Sequence, residues 1–277
     1  MTPPASAESV AAFRRGLMSA MTSRRGISRG RNRFHSLRNY RRYQHDVAER
    51  AVLPFLRRFG VDIAGRRLLD LGCGNAGMTS LYREKGAVAV GIDRDWGRMA
   101  GAPGLLVAGD ALNLPFKSGS FELVIAHDLV EHVCDVAMVL REIGRVLSQD
   151  GLAFVSFPPF FGPYGGHQQG ARGPARLLPF GHLLPEALWL SLVSCERYHK
   201  MFGGLGRLSI SEFDRAVKHS SLAVARRQLH LVRPEVALRL GLPVIECGLF
   251  CSLPVVGEFI TGGAFYLLSK PGASNGF

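Results

Sequence analysis

Apolar positions along this chain follow two regimes, and the change comes near Phe157. From about residue 36 they switch regularly between helical and strand spacing. Tyr43, Val47, Ala51 and Phe55 recur every fourth residue, which predicts a helix over 40–59. Residues 66–71 then read as a strand running into a glycine-rich turn, 76–85 as a helix and 87–93 as a second strand. Further strands are predicted at 105–109, 121–127 and 151–157, with a helix at 136–147 before the last of them. Strand and helix alternating in this way predict an α/β sandwich on a mostly parallel sheet with helices on both faces.

Beyond Phe157 the rhythm breaks, and the next convincing strand is at 222–232. The intervening stretch is rich in aromatic residues, Pro, Gly and His. Leu188, Trp189, Leu192 and Val193 predict a helix near 186–200, and Ser209 with Glu212 has the form of a capping box opening another. Gly263–Ser269 reads as a final strand. Residues 242–268 are apolar, but Glu246, Pro254 and Glu258 interrupt them, so they read as core strand and turn rather than a membrane span.

Charge changes the picture at one end only. The formal net charge is +12, yet residues 1–50 hold eleven arginines against Glu8, Asp46 and Glu49. The basicity therefore belongs to an arm, and the expected plan is a flexible basic arm at 1–35 followed by one domain at 36–277. Val10, Phe13, Leu17 and Met21 permit a short amphipathic helix in the arm. A solvated tail is the reading adopted; a transit peptide shares the composition, and nucleic acid or an anionic membrane surface would be attracted to it. Five cysteines (Cys73, Cys134, Cys195, Cys247, Cys251) contain no CxxC pair and are too scattered for a disulfide scaffold. A reducing, cytoplasmic compartment is expected, with peripheral membrane contact left open.

The chemistry centres on Leu68-Leu69-Asp70-Leu71-Gly72-Cys73-Gly74-Asn75-Ala76-Gly77. Glycines at 72, 74 and 77 match a G-x-G-x-x-G fingerprint, in which a strand ends in a tight turn and backbone N–H groups face a ligand at a helix start. Asp93, at the end of the next strand, is placed to accept hydrogen bonds from ribose hydroxyls. On these residues alone a nicotinamide dinucleotide and S-adenosylmethionine both remain open.

The longer pattern resembles the class I S-adenosylmethionine-dependent methyltransferases, in particular the ubiquinone-biosynthesis-like group. LLDLGCGNAG resembles their first motif, with Asp70 two residues before the first glycine. Gly109-Asp110-Ala111 resembles the segment that contacts adenine. Leu114-Pro115-Phe116, Ser120-Phe121-Glu122-Leu123-Val124, Glu131-His132-Val133 and Arg141–Leu147 follow in the family's order.

The resemblance implies a Rossmann-like sandwich with a seven-stranded sheet and a substrate lid inserted at about 158–208. It implies S-adenosylmethionine as cofactor, held by Asp70, Gly72, Cys73, Gly74, Gly77, Asp93, Arg94, Asp110, Ala111 and His127. Cys73 is read as a packing residue, because nothing beside it would lower its pKa.

Glu131, His132 and His167 are the catalytic candidates. Asp128-Leu129-Val130-Glu131-His132 resembles an acid-x-x-Glu-His pattern that is associated with a divalent metal in ubiquinone-type O-methyltransferases, which makes Asp128, Glu131 and His132 candidate ligands. The reading adopted assigns no metal and has Glu131 pairing locally. Ser156-Phe157-Pro158-Pro159-Phe160 superficially resembles an amino-methylation motif, but it follows the wrong strand and lacks the leading Asn or Asp. The expected activity is methyl transfer, preferably to oxygen, on a small-molecule or lipid-like acceptor. The alternatives are an RNA-directed enzyme using the arm and a non-catalytic scaffold.

Overall fold

The computed structural model describes residues 37–168, 174–193, 198, 202–248, 251 and 253–273. The arm expected at 1–35 lies outside the described residues. The first described helix, α1 (Leu37–Val47), continues through a π-helical segment, Ala48–Val52, into α2 (Leu53–Arg58). The alternating part then runs β1 (Arg67–Leu71), α3 (Gly77–Glu84), β2 (Val88–Asp93), β3 (Leu105–Ala108), β4 (Phe121–His127), α4 (Val136–Val146) and β5 (Leu147–Phe157). After β5 come α5 (Glu186–Leu192), α6 (Ile210–Lys218), β6 (Ala223–Val232), α7 (Pro234–Leu240), β7 (Ile245–Glu246), α8 (Pro254–Ile260) and β8 (Gly263–Ser269).

Among the described residues, eight strands form one sheet in the order β3-β2-β1-β4-β5-β8-β6-β7. Strands β1 to β5 pair in parallel, whereas β8 runs antiparallel between β5 and β6. The sheet has one strand more than expected. The addition is β7, a two-residue edge strand paired with β6, too short to carry an alternating pattern.

The central strands β1, β4, β5 and β8 are largely buried, and alternate residues along them enter separate cores on the two faces of the sheet. Leu69, Val124 and Val155 enter a core with Ile143 of α4 and Phe213 of α6. Leu68, Leu123 and Phe154 enter a second core with Phe55 and Leu56 of α2 and Tyr82 of α3. Phe55, Phe154 and Phe265 meet edge to face with centroids 5.2–5.6 Å apart.

The motif segments also hold one another. Arg145 of α4 bonds Glu142 and donates to the carbonyls of Leu114 and Phe116, while Glu142 accepts from the Leu114 N–H at 2.7 Å. The expected capping box at Ser209 and Glu212 is present in full and opens α6.

The stretch between β5 and α6 builds a third, smaller core from Phe160, Trp189, Val193, Tyr198, Phe202 and Leu205. Its base is closed by Phe160 N–H donating to the Leu208 carbonyl, and Tyr198 Oη donates to the Gly166 carbonyl at 2.7 Å. Of the helix predicted over 186–200, α5 covers the first part, and most of the rest lies outside the described residues. Cys247 and Cys251 form a disulfide four residues apart, a local link that the sequence reading did not anticipate, while Cys73 and Cys134 are free. Among the described residues no helix is long and apolar enough to cross a membrane; the stretch 242–268, read as strand and turn, holds the helix α8 between β7 and β8.

Candidate active site

The chain leaves β1 towards β2 and β3 on one side and returns through β4 and β5 on the other. The carboxyl ends of β1 and β4 therefore border a crevice where the strand order switches direction, the usual ligand position in such sheets. The glycine turn forms one wall. Gly72 and Gly74 have φ of +78° and +56°, and a Cβ on Gly72 would lie 2.8 Å from Leu129 Cδ1 across the crevice. Gly72 and Cys73 N–H groups both bond the Ile92 carbonyl, fastening the turn to β2.

Asp93 closes the same turn. Its Oδ2 accepts from Gly74 N–H at 2.8 Å and its Oδ1 from Asp95 N–H at 2.9 Å. Both oxygens are thus oriented, and each retains a lone pair for a hydroxyl donor. This suits a ribose diol, as the fingerprint leads one to expect. Asn75 Oδ1 in the same turn is buried without a partner, a further acceptor the fold leaves unused.

Other expected cofactor residues have different surroundings. Asp70 is 2% exposed and accepts from Thr79 Oγ1 at 2.5 Å. Burial pushes its pKa up to about 6, against the Thr79 hydrogen bond and His127, which lower it. Asp110 is exposed, and its Oδ1 caps the following turn through Leu112 N–H at 3.0 Å, with Ala111 half-buried beside it. Arg94 is exposed next to Asp93. The Cys73 thiol is buried against Met99, and desolvation with the nearby carboxylates pushes its pKa up, in keeping with a packing role.

Gly77 faces α1 rather than open space. A Cβ there would stand 2.4 Å from the Arg41 carbonyl, and Gly77 N–H donates to Gln44 Oε1. Arg41 Nε in turn reaches the Asn75 carbonyl at 3.1 Å. The sequence reading missed these two α1 residues as neighbours of the turn.

It also missed the network at the end of β4. His127 Nε2 pairs with Glu235 Oε1 at 2.8 Å, Glu235 Oε2 accepts from Arg233 Nε at 2.6 Å, and Arg233 Nη2 donates to both oxygens of Asp128 at 2.6 and 2.9 Å. Burial disfavours the His127 proton, but Asp128 and then Glu235 outweigh it, and the imidazole pKa is raised. Burial would push the Glu235 carboxyl up, yet Arg233 and His127 hold it low. Arg233 and Glu235 flank Pro234 directly after β6; a pair of opposite charges around the proline that follows the strand is the sequence signal that could have drawn notice. His127 is thus bound into charge pairs rather than standing free in the crevice.

The three catalytic candidates come together. Glu131, His132 and His167 each offer a donor atom, all within 4.8 Å of one another. His167 Nε2 is 3.5 Å and His132 Nε2 4.0 Å from Glu131 Oε1, and the two rings lie 5.0 Å apart. Burial lowers the His132 pKa, and His167 and Arg98 act in the same direction against the carboxylates of Glu131 and Asp128. Asp128, proposed from sequence as a fellow metal ligand, lies outside this group and is held by Arg233.

Residues 69–155 match a family model described as a methyltransferase domain. Over those residues the chain is similar to the methyltransferase domain family. An uncharacterized methyltransferase of Mycobacterium marinum is 33% identical over 118 residues, which is 40% of this chain and 46% of that protein. One from Mycobacterium ulcerans is 32% identical over the same length. The chain thus spans a little under half the length of these curated relatives. Solved methyltransferases share the fold. One from Thermotoga maritima, described as a possible histamine N-methyltransferase, has a TM-score of 0.53 at 16% identity, over 81% of this chain and 91% of its own. Another, from Mesorhizobium loti, has a TM-score of 0.51 at 20% identity, over 78% and 96%. The matched stretch thus includes the strand ends of β1, β2 and β4 that border the crevice, and the Glu131 cluster stands at its β4 side.

Proposed function

We propose that this chain transfers a methyl group from S-adenosylmethionine to a small-molecule or lipid-like acceptor, with oxygen the preferred acceptor atom. The observation that carries the reading is the clasp between Asp93 and the Gly74 N–H at the switch point of the sheet. When bound, the cofactor supplies an activated sulfonium methyl. Asp93 accepts from the ribose hydroxyls, the Gly72–Gly77 turn lies along the cofactor, and Asp110 and Ala111 meet its base. Asp70, behind the turn, supplies negative charge towards the cofactor's ammonium group. The buried pairs of His127, Asp128, Arg233 and Glu235 fix the end of β4.

The described residues of the expected lid, 158–168, 174–193, 198 and 202–208, cover the acceptor and exclude water. Glu131, His132 and His167 face it, and a hydroxyl acceptor gives up its proton to this cluster. The reading is tested by calorimetric titration with S-adenosylhomocysteine, using NAD as the control ligand. Binding of S-adenosylhomocysteine alone, lost or weakened in Asp93→Ala, is expected. Binding of NAD alone overturns the proposal.

A further inference from the structure

Glu131 is 3% exposed, and neither carboxylate oxygen has a hydrogen-bond partner. An ionised carboxylate buried in that way is costly unless a cation or donor compensates it. His167 Nδ1 is likewise buried and unpartnered. The backbone around both residues is held in place. Gly206 N–H bonds the Glu131 carbonyl at 2.7 Å, and Tyr198 anchors the Gly165-Gly166 turn that presents His167. His167 itself sits at φ +54°, a conformation costly for a residue with a Cβ and one that accumulates at functional sites.

We infer that Glu131, His132 and His167 form a divalent transition-metal site, one carboxylate and two imidazoles, at the β4 side of the crevice. Bonds of about 2.0–2.1 Å in a tetrahedral site place neighbouring donors roughly 3.4 Å apart. The separations of 3.5 and 4.0 Å need only a small contraction to reach that. The donor set differs from the one the sequence pattern implied. With Asp128 committed to Arg233 and an imidazole from the post-β5 stretch in its place, the site favours ions that take nitrogen, such as zinc or cobalt, over magnesium. His132 keeps about a third of its side chain exposed, so the ion has a route in and a coordination position left towards the crevice. There it would hold a donor atom of the acceptor, and with all three side chains on the ion it would take over the activation of a hydroxyl from direct proton transfer to the cluster. That role rests on the methyltransferase reading, whereas the metal site itself does not.

The test uses the untagged full chain, freed of metal with a chelator and titrated with Co²⁺ by absorption spectroscopy and with Zn²⁺ by calorimetry. One equivalent of each ion is expected to bind, with visible d–d bands for Co²⁺. His167→Ala and Glu131→Gln should each weaken binding by at least about tenfold, whereas Asp128→Asn should leave the Co²⁺ spectrum and stoichiometry intact. S-adenosylhomocysteine affinity of the same variants reports whether they fold, and separates failure of the metal site from failure of the cofactor assignment. A wild-type chain that takes up neither ion, or a His167→Ala variant that binds as tightly as wild type, overturns the site. Loss of binding on Asp128→Asn with retention on His167→Ala would restore the ligand set expected from sequence.

Discussion

Replacing Asp70 with Asn should stabilise the fold while harming the site. The carboxyl is 2% exposed, and burial pushes its pKa from 3.8 to about 6. An acid with a raised folded-state pKa binds its proton more tightly when folded. Its contribution is therefore most favourable at low pH, and the penalty for ionisation is complete above about pH 6. At 1.36 kcal/mol per unit the penalty is about 3 kcal/mol, of which about 1.4 kcal/mol develops between pH 5 and pH 7.5.

Asn keeps the acceptor for Thr79 Oγ1 but adds an amide that needs a partner, costing about 1 kcal/mol or more. A net gain of about 1–2 kcal/mol at pH 7.5 follows, raising Tm by about 2–4 °C for each kcal/mol in a chain of this size. Thermal melts of both proteins from pH 5 to pH 8, followed by circular dichroism, read this directly. Their difference should widen by about 1.4 kcal/mol as pH rises. Titration with S-adenosylhomocysteine should move the other way, with affinity falling about tenfold as one charge interaction is lost. A variant less stable than wild type at pH 7.5, or a difference that does not change with pH, refutes the reasoning.

Other expectations are simpler to state. Asp93→Ala should weaken S-adenosylhomocysteine binding by about 1–3 kcal/mol in calorimetry, because a hydroxyl pair loses its acceptor and Gly74 N–H its anchor. Gly77→Ala should loosen α1 from the turn, since the new methyl meets the Arg41 carbonyl at 2.4 Å; faster amide exchange over 37–47 is the readout. Arg233→Met should cost about 3–5 kcal/mol in urea unfolding, because Asp128 and Glu235 lose their common cation. Burial lowers the His230 pKa to about 4. The fold should thus lose up to about 3 kcal/mol as pH falls from 6.5 to 4. His230→Phe should abolish that part of the acid transition.

The fold was legible where one short window fixes an element. The β1 pattern, its glycines and the acid ending β2 each announce a strand, a turn and a ligand wall within a few residues. The capping box at Ser209 and the break after Phe157 are equally local. What escaped the sequence was contact between distant segments. Nothing near His127 announces Glu235, and nothing near Asp128 announces Arg233, because those pairs exist only once β6 has been laid beside β8 and its continuation swings back over β4. His167 was singled out and so was Glu131, yet their meeting depends on how residues 158–168 leave β5. The helical spacing of α1 predicted a helix but not that Gln44 would meet the glycine turn. The expected count of seven strands failed for a different reason: a two-residue ladder has no period to read.

The position of β8 bears on how the molecule is made. It is the strand reached last in synthesis among the eight, yet it lies inside the sheet, with β5 on one side and β6 on the other. Phe265 on this strand also completes the aromatic trio with Phe55 and Phe154. A nascent chain that has emerged only as far as β6 therefore exposes the open edge of β5 and an unfinished apolar face beneath α2. Such exposed edges and apolar faces are open to aggregation, and the cost of non-local pairing falls on the folding rate. A chain ending before residue 263 would be a sticky intermediate, whereas one whose residues to 269 are free to pair would have a sheet able to close.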